Sequence, residues 1–385
     1  MPWRRLALDV TPLRHNRNFR VLFTASLVTR FGAMVTYVAA PFQIKELTGS
    51  YLAVGVVGAL EIAPLVAFGL YGGALADRAD RRLVAAACEA GFVACTAALC
   101  VNSLSEQPRV AVIYVAAMLM AALDGLQRPA LDALLARIVS REQLPAATAL
   151  NSLTHSASYI LGTALGGILV VGVGTAAAYG LDAATYAASG AALLTLPSIR
   201  AERESGPTWS SITDAARYAV SRRDLLGTYL IDTVAMVFAF PNALFPFLAT
   251  ELGSPSSLGL LYSAGAVGAA IATATSGWTS RVRRHGVAVI CAACAWGVAI
   301  AAAGAAGSLH MVLVCLALAG AADMISGVFR SLMWNLTIPD DLRGRMAGIE
   351  LLSYSIGPRL GEVRSSIAAY VMGMRRALAS GGIIC

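Results

Sequence analysis

Gly73-Ala-Leu-Ala-Asp-Arg-Ala-Asp-Arg-Arg82 is a short charged stretch between two apolar runs, about 52–76 and 83–103. Each run has the ~20 residues that a helix needs to cross hydrocarbon. Asp77 falls where the first run ends, and Arg78, Arg81 and Arg82 follow within five positions. Charge this dense cannot lie in lipid, so the stretch is a loop, and its guanidinium groups mark that loop as cytoplasmic. Gly72 and Gly73 let two helices close together beside it.

Working outward from this loop, the apolar runs repeat. The chain has 385 residues, 57% hydrophobic and only 13% charged, against roughly 25% charged for a soluble domain. There is room for about a dozen spans. Residues 1–20 are arginine-rich with no long apolar core, so no cleavable signal peptide is expected. The runs predict a cytoplasmic arm at 1–18, an N-terminal bundle at 19–197, a central cytoplasmic loop at 198–224 and a C-terminal bundle at 225–385. An amphipathic helix is expected near Ile212–Val220. Pro207 and many charges set the central loop apart. Ala377–Cys385 begins a further apolar run and stops, so eleven complete spans and a truncated twelfth are expected.

The net charge of +7 raises nucleic acid as a partner, and the distribution of charge excludes it. Under this topology 20 of the 29 basic residues flank the cytoplasmic ends of spans, 4 (Lys45, Arg109, Arg375, Arg376) flank the external ends and 5 lie within spans. That is a positive-inside pattern, not a basic face. Seven cysteines lie mostly in apolar runs. Cys291-Ala-Ala-Cys294 has metal-like spacing but no second pair and no nearby His, so no metal is assigned. No strand–P-loop lysine pattern appears, and no nucleophile constellation, so neither an ATP-driven machine nor an enzyme is expected, and no cofactor.

The two halves echo each other. Gly277-Trp-Thr-Ser-Arg-Val-Arg-Arg284 follows span 8 as the opening stretch follows span 2. Asp124 and Arg128 in span 4 parallel Asp323 and Arg330 in span 10, and Gly162-Thr-Ala-Leu-Gly166 parallels Gly357-Pro-Arg-Leu-Gly361. Three echoes in one order indicate duplicated bundles, a usual transporter plan.

The pattern G-x-L-A-D-R-x-x-R-R between the second and third spans resembles the loop 2–3 signature of the major facilitator superfamily. Asp80 stands where the general pattern has Gly, which is similar to the branch that exports siderophores and drugs. The resemblance covers nearly the whole chain. It implies an all-α polytopic membrane protein of two six-helix bundles, a monomer in the inner membrane with a cytoplasmic N-terminus. Its implied partners are the lipid bilayer, protons and an amphipathic small molecule. It also implies a gate: Gly73, Asp77, Arg78, Arg81 and Arg82, with Asp77 at the N-terminus of span 11 near Arg345–Gly348 and Arg78 or Arg81 paired with Asp132. The exporter signature of span 5 is imperfect, because Thr163 stands in place of Pro, which leaves uptake by symport open beside export.

Ionisable groups inside spans cost about 2.5–3.5 kcal/mol each at the helix centre, so those present are candidates for the pathway of protons and substrate. They are Arg30, Glu61, Asp124, Arg128, Asp232, Asp323 and Arg330. Asp124, Arg128 and Asp132 share one helix face and form either a water-facing ion network or a self-neutralising pair. Arg30 cannot shed its proton and needs an anionic substrate or a buried acid. Glu61 either carries a proton or is inert. Glu89 is read as structural, and His155 as a core group. Trp296 and Trp334 are read as interface anchors. Tyr37, Phe42, Phe238, Phe240, Phe245 and Tyr262 are candidates to line a substrate path.

Overall fold

In hydrocarbon no water satisfies a free backbone group, so long apolar runs become helices. The computed structural model describes residues 9–76, 78–198, 217–218, 221–338 and 340–385, with backbone alone at 74, 76, 223–224 and 340–354. In chain order the helices are α1 (Thr11–His15), α2 (Arg17–Thr48), α3 (Tyr51–Ala76), α4 (Arg81–Leu104), α5 (Val110–Ile138), α6 (Leu144–Gly172) and α7 (Thr175–Leu194), followed by α8 (Arg223–Ala239), α9 (Phe245–Glu251), α10 (Leu258–Ala274), α11 (His285–Ala305), α12 (Leu309–Thr337), α13 (Asp340–Met372) and α14 (Met374–Ile384). Among the described residues nine stretches are long and apolar enough to cross a membrane, with Leu225–Glu251 counting as one. That stretch is broken between α8 and α9, where Phe240 is extended and Pro241 lacks an amide donor.

Side chains fix several helix ends. Asp80 caps α4 by accepting from the Arg82 amide at 3.0 Å. Asn16 accepts from the Phe19 amide at 3.0 Å and donates to the Ile138 carbonyl at 2.7 Å, tying the start of α2 to the end of α5. Gly174 and Gly373 turn the chain between α6 and α7 and between α13 and α14 with φ of +110° and +86°, a region that glycine enters without steric cost.

Packing divides the chain into two compact units, Met1–Ala40 with Ala63–Gly206, and Pro41–Ile62 with Pro207–Cys385. In the first, α4 packs between α5 and α7. Its core joins Leu22, Ala25, Ala85, Leu134 and Leu193, and a second cluster of Phe19, Val139, Ala147 and Leu150 takes in Val10 and Leu13 from the N-terminal arm. Gly72 of α3 meets α5 there: a Cβ at Gly72 would stand 2.7 Å from the Gly125 carbonyl. Gly73 faces open space, so Gly72 alone makes the close approach.

In the second unit α12 packs on α10 and α11, α14 on α11, and α13 on α8. Added Cβ atoms at Gly268 and Gly320 would run into the backbone at Ala317 and Gly265, so the α10–α12 seam is bare backbone against bare backbone, the close packing that lipid-embedded helices use. Trp296 and Trp334 are buried, unlike interface anchors, and so are Phe245 and Tyr262. Leu104, Val173, Val298 and Leu336 are all more than two-thirds exposed. Apolar side chains outside and charges inside are what a lipid solvent selects.

Candidate functional site

The first unit encloses a cavity of about 360 Å³. Four of its helices bring ionisable groups to it: α2 supplies Arg30, α4 supplies Glu89, α5 supplies Asp124, Arg128 and Asp132, and α6 supplies His155. Their spacing explains the convergence. Positions 124, 128 and 132 succeed each other by one turn, so a single face of α5 carries all three. The Arg128 guanidinium lies 3.7 Å from Asp124, both side chains being more than 40% exposed, so they meet in a wet setting. Asp132 feels Arg128 and Arg30 together. Phe92 and Tyr186 stack at 4.7 Å between centroids and give the same cavity an aromatic wall.

Glu89 is buried in that wall. It accepts from Thr29 Oγ1 at 3.1 and 3.2 Å, from Gln127 Nε2 at 3.0 Å and from Ser189 Oγ at 3.2 Å. Although read as structural from the sequence, it faces the cavity; its position in mid-span was the available signal. His155 likewise lines the cavity. Asp182 went unread. It is fully buried on α7 and accepts from Thr185 Oγ1 at 3.2 Å, against Gly32, where any added Cβ would strike Thr185.

The second unit carries its own ion cluster. Arg330 on α12 pairs with Asp232 on α8, both side chains 3% exposed, and reaches Asp323 at 3.8 Å. The echo of Asp124 and Arg128 therefore has a different geometry, because a partner from another helix takes the guanidinium first. Beside it the Trp334 indole donates to Thr228 Oγ1 at 2.9 Å and stacks on Tyr229. Glu61 also has a partner the local sequence did not reveal. The Arg359 Nε donates to its carboxylate at 2.8 Å, across 298 positions of chain, and Arg359 is further held by the Ser355 carbonyl.

The opening stretch is braced within the first unit. Arg82 donates to the Leu194 and Leu196 carbonyls at 3.3 and 2.8 Å, at the open end of α7, where a cation complements the helix dipole. Asp80 accepts from Ser198 at 2.7 Å. Arg81 is buried and Arg78 exposed. Asp132 faces the cavity and forms no ion pair with either arginine among the described residues. Asp77 lies outside the described residues, as does the segment expected at 212–220 apart from 217 and 218. The side chains of Arg345–Gly348 lie outside them too.

Nine spans of membrane length among the described residues, with a charged cavity inside the first unit, fit a carrier, and the family and relatives that the chain matches make it a polytopic membrane transporter rather than an enzyme. It belongs to the major facilitator family described as transmembrane secretion effectors, whose pattern matches residues 7–384. The enterobactin exporter EntS of Salmonella choleraesuis is 29% identical over 360 residues, covering 92% of this chain and 86% of that one. EntS of Escherichia coli O9:H4 is 28% identical over the same shares. A bacterial homolog of the human lysosomal transporter Spinster, inward-facing and unoccupied, superposes with a TM-score of 0.74 at 13% identity over 95% of this chain and 94% of its own. The nucleoside transporter NupG does so at 0.75 and 13% over 95% and 96%. Those solved structures bear on the fold alone: all-α, of major facilitator type.

Proposed function

We propose that this transporter exports an amphipathic small molecule of siderophore or drug type in exchange for protons, as a monomer in the inner membrane with its N-terminus in the cytoplasm. The observation that carries this reading is the cavity of the first unit, where two guanidinium groups, several carboxyl groups and a stacked aromatic pair meet. The enterobactin exporters among the relatives support export and a siderophore-sized cargo. In this reading Arg30, Asp124 and Arg128 contact cargo and water, and Asp232, Asp323, Arg330 and Glu61 form ion pairs of the second unit that break and re-form as cargo passes. The turn from Gly73 to Arg82, with Asp132, acts as the cytoplasmic gate that the motif suggests.

The test is accumulation of enterobactin in inverted membrane vesicles with an imposed proton gradient. Uptake into them should need the chain, fall on adding a protonophore and fall again in Arg30→Ala. Gradient-independent accumulation would refute the coupling. Accumulation only in right-side-out vesicles would favour uptake by symport, the alternative that Thr163 leaves in play. No accumulation of any amphipathic probe would indicate an inactive relative or an assembly factor.

A further inference from the structure

We propose that Glu89, in the wall of the first unit's cavity, is the group at which this transporter takes up and releases a proton. The inference rests on the proton-exchange reading above and names the site at which that exchange occurs.

The argument is one of elimination by partner. Asp124 faces Arg128, Asp132 stands in the field of Arg128 and Arg30, Glu61 faces Arg359, and Asp232 and Asp323 share Arg330. Protonating one of these carboxylates deprives a guanidinium, which cannot shed its own proton, of a counter-charge at membrane depth. Glu89 has no such debt. Its hydrogen-bond partners are Thr29, Gln127 and Ser189, all neutral, and among the described residues no cation comes within ion-pair distance of it.

Those partners suit both protonation states. Toward the carboxylate the hydroxyls of Thr29 and Ser189 donate. Toward the carboxylic acid either hydroxyl can rotate and accept. The Gln127 amide stays fixed, since its nitrogen also donates to the Ala85 carbonyl at 3.3 Å. The proton can therefore come and go with rotation of hydroxyls and no shift of backbone. Only one O–H bond forms or breaks, and the proton is exchanged with water. The cavity has room for that water, being far larger than the ~10–15 Å³ that one molecule needs.

The surrounding charges make the change consequential. Arg30 from α2 and Arg128 from α5 face Asp124 and Asp132, also from α5. His155 on α6, Tyr186 and Asp182 on α7, and Cys88 on α4 itself are the other titratable neighbours. The two arginines and two aspartates cancel, so Glu89 decides the balance: neutral when it is protonated, one negative charge when it is not. A donor group of the cargo and a proton then compete for one carboxylate, which is the relation an exchanger needs. Asp182 is also buried without a cation, but it does not line the cavity and lacks this route to water.

The experiment is infrared difference spectroscopy of the full chain in lipid as the buffer is cycled between about pH 6 and pH 9, a window in which exposed carboxylates stay ionised. A protonated-carboxyl stretch should disappear at alkaline pH in the wild type, in Asp124→Asn and in Asp182→Asn. It should be missing in Glu89→Gln, which keeps the shape and hydrogen-bonding groups, and return at a shifted position in Glu89→Asp. Persistence of the band in Glu89→Gln, or its absence from the wild type, overturns the proposal. Enterobactin transport separates the two readings. A wild type indifferent to a protonophore refutes coupled export while the spectra still decide Glu89, and a titrating Glu89 whose Gln variant keeps full gradient-driven transport removes its part in coupling.

Discussion

Removing the Arg330 guanidinium should be the most damaging single change in the second unit. Arg330→Met leaves Asp232, 3% exposed, without its counter-charge, and breaking a buried pair from one side costs about 3–5 kcal/mol. Asp232→Asn should cost less, about 2–3 kcal/mol, because Arg330 keeps Asp323 at 3.8 Å and only its weaker, screened attraction survives. The double variant removes both buried charges and should lie within about 1 kcal/mol of the wild type, leaving a coupling of at least about 4 kcal/mol. Thermal unfolding of purified protein, followed by tryptophan fluorescence, reads this directly. Trp334 sits one turn beyond Arg330 and reports the same neighbourhood. At about 2–4 °C per kcal/mol, Arg330→Met should lose roughly 6–20 °C and the double variant no more than about 4 °C. If the two single losses simply add in the double variant, the residues do not act as a pair and the reasoning fails.

Three further outcomes follow from contacts on other helices. Gly320→Val should force α10 and α12 apart at the Gly265 backbone, costing at least the ~1–3 kcal/mol of an overpacked core, and Gly73→Ala, in open space, should leave the melting temperature unchanged. Glu61→Arg should lower the yield of monodisperse protein in size-exclusion chromatography, and the reciprocal Arg359→Glu should restore it in the double variant, since the two groups meet at 2.8 Å; a double variant as poor as either single one argues against the pair. Arg82→Ala removes both bonds to the carbonyls at the end of α7 and should cost about 1–3 kcal/mol, whereas Arg78→Ala, on an exposed side chain, should stay within about 0.5 kcal/mol.

The helices were legible because hydrocarbon imposes one rule on every span: length and apolar content suffice. The family was legible in the spacing of Asp77, Arg78, Arg81 and Arg82. The face shared by Asp124, Arg128 and Asp132 followed from a period of four along one helix. Partners on other helices were not legible. Nothing near Glu61 points to a residue 298 positions away, and nothing near Arg330 ranks Asp232 above Asp323. In a helix apolar on all sides, periodicity does not say which side faces a neighbour, so Glu89 and Asp182 could be seen as costly without being placed. Trp296 and Trp334 went the same way: an indole can anchor at an interface or fill a core, and only packing decides.

The bracing of Asp80 and Arg82 onto the tail of α7 has a practical meaning for anyone who mutates that turn. Arginines in such a turn are expected to steer insertion during synthesis, and here Arg82 is also a rivet for a helix made more than a hundred residues later. Loss of growth in such a mutant would first record a protein that was never properly assembled, so quantity in the membrane has to be measured before any slow turnover is blamed on a jammed gate.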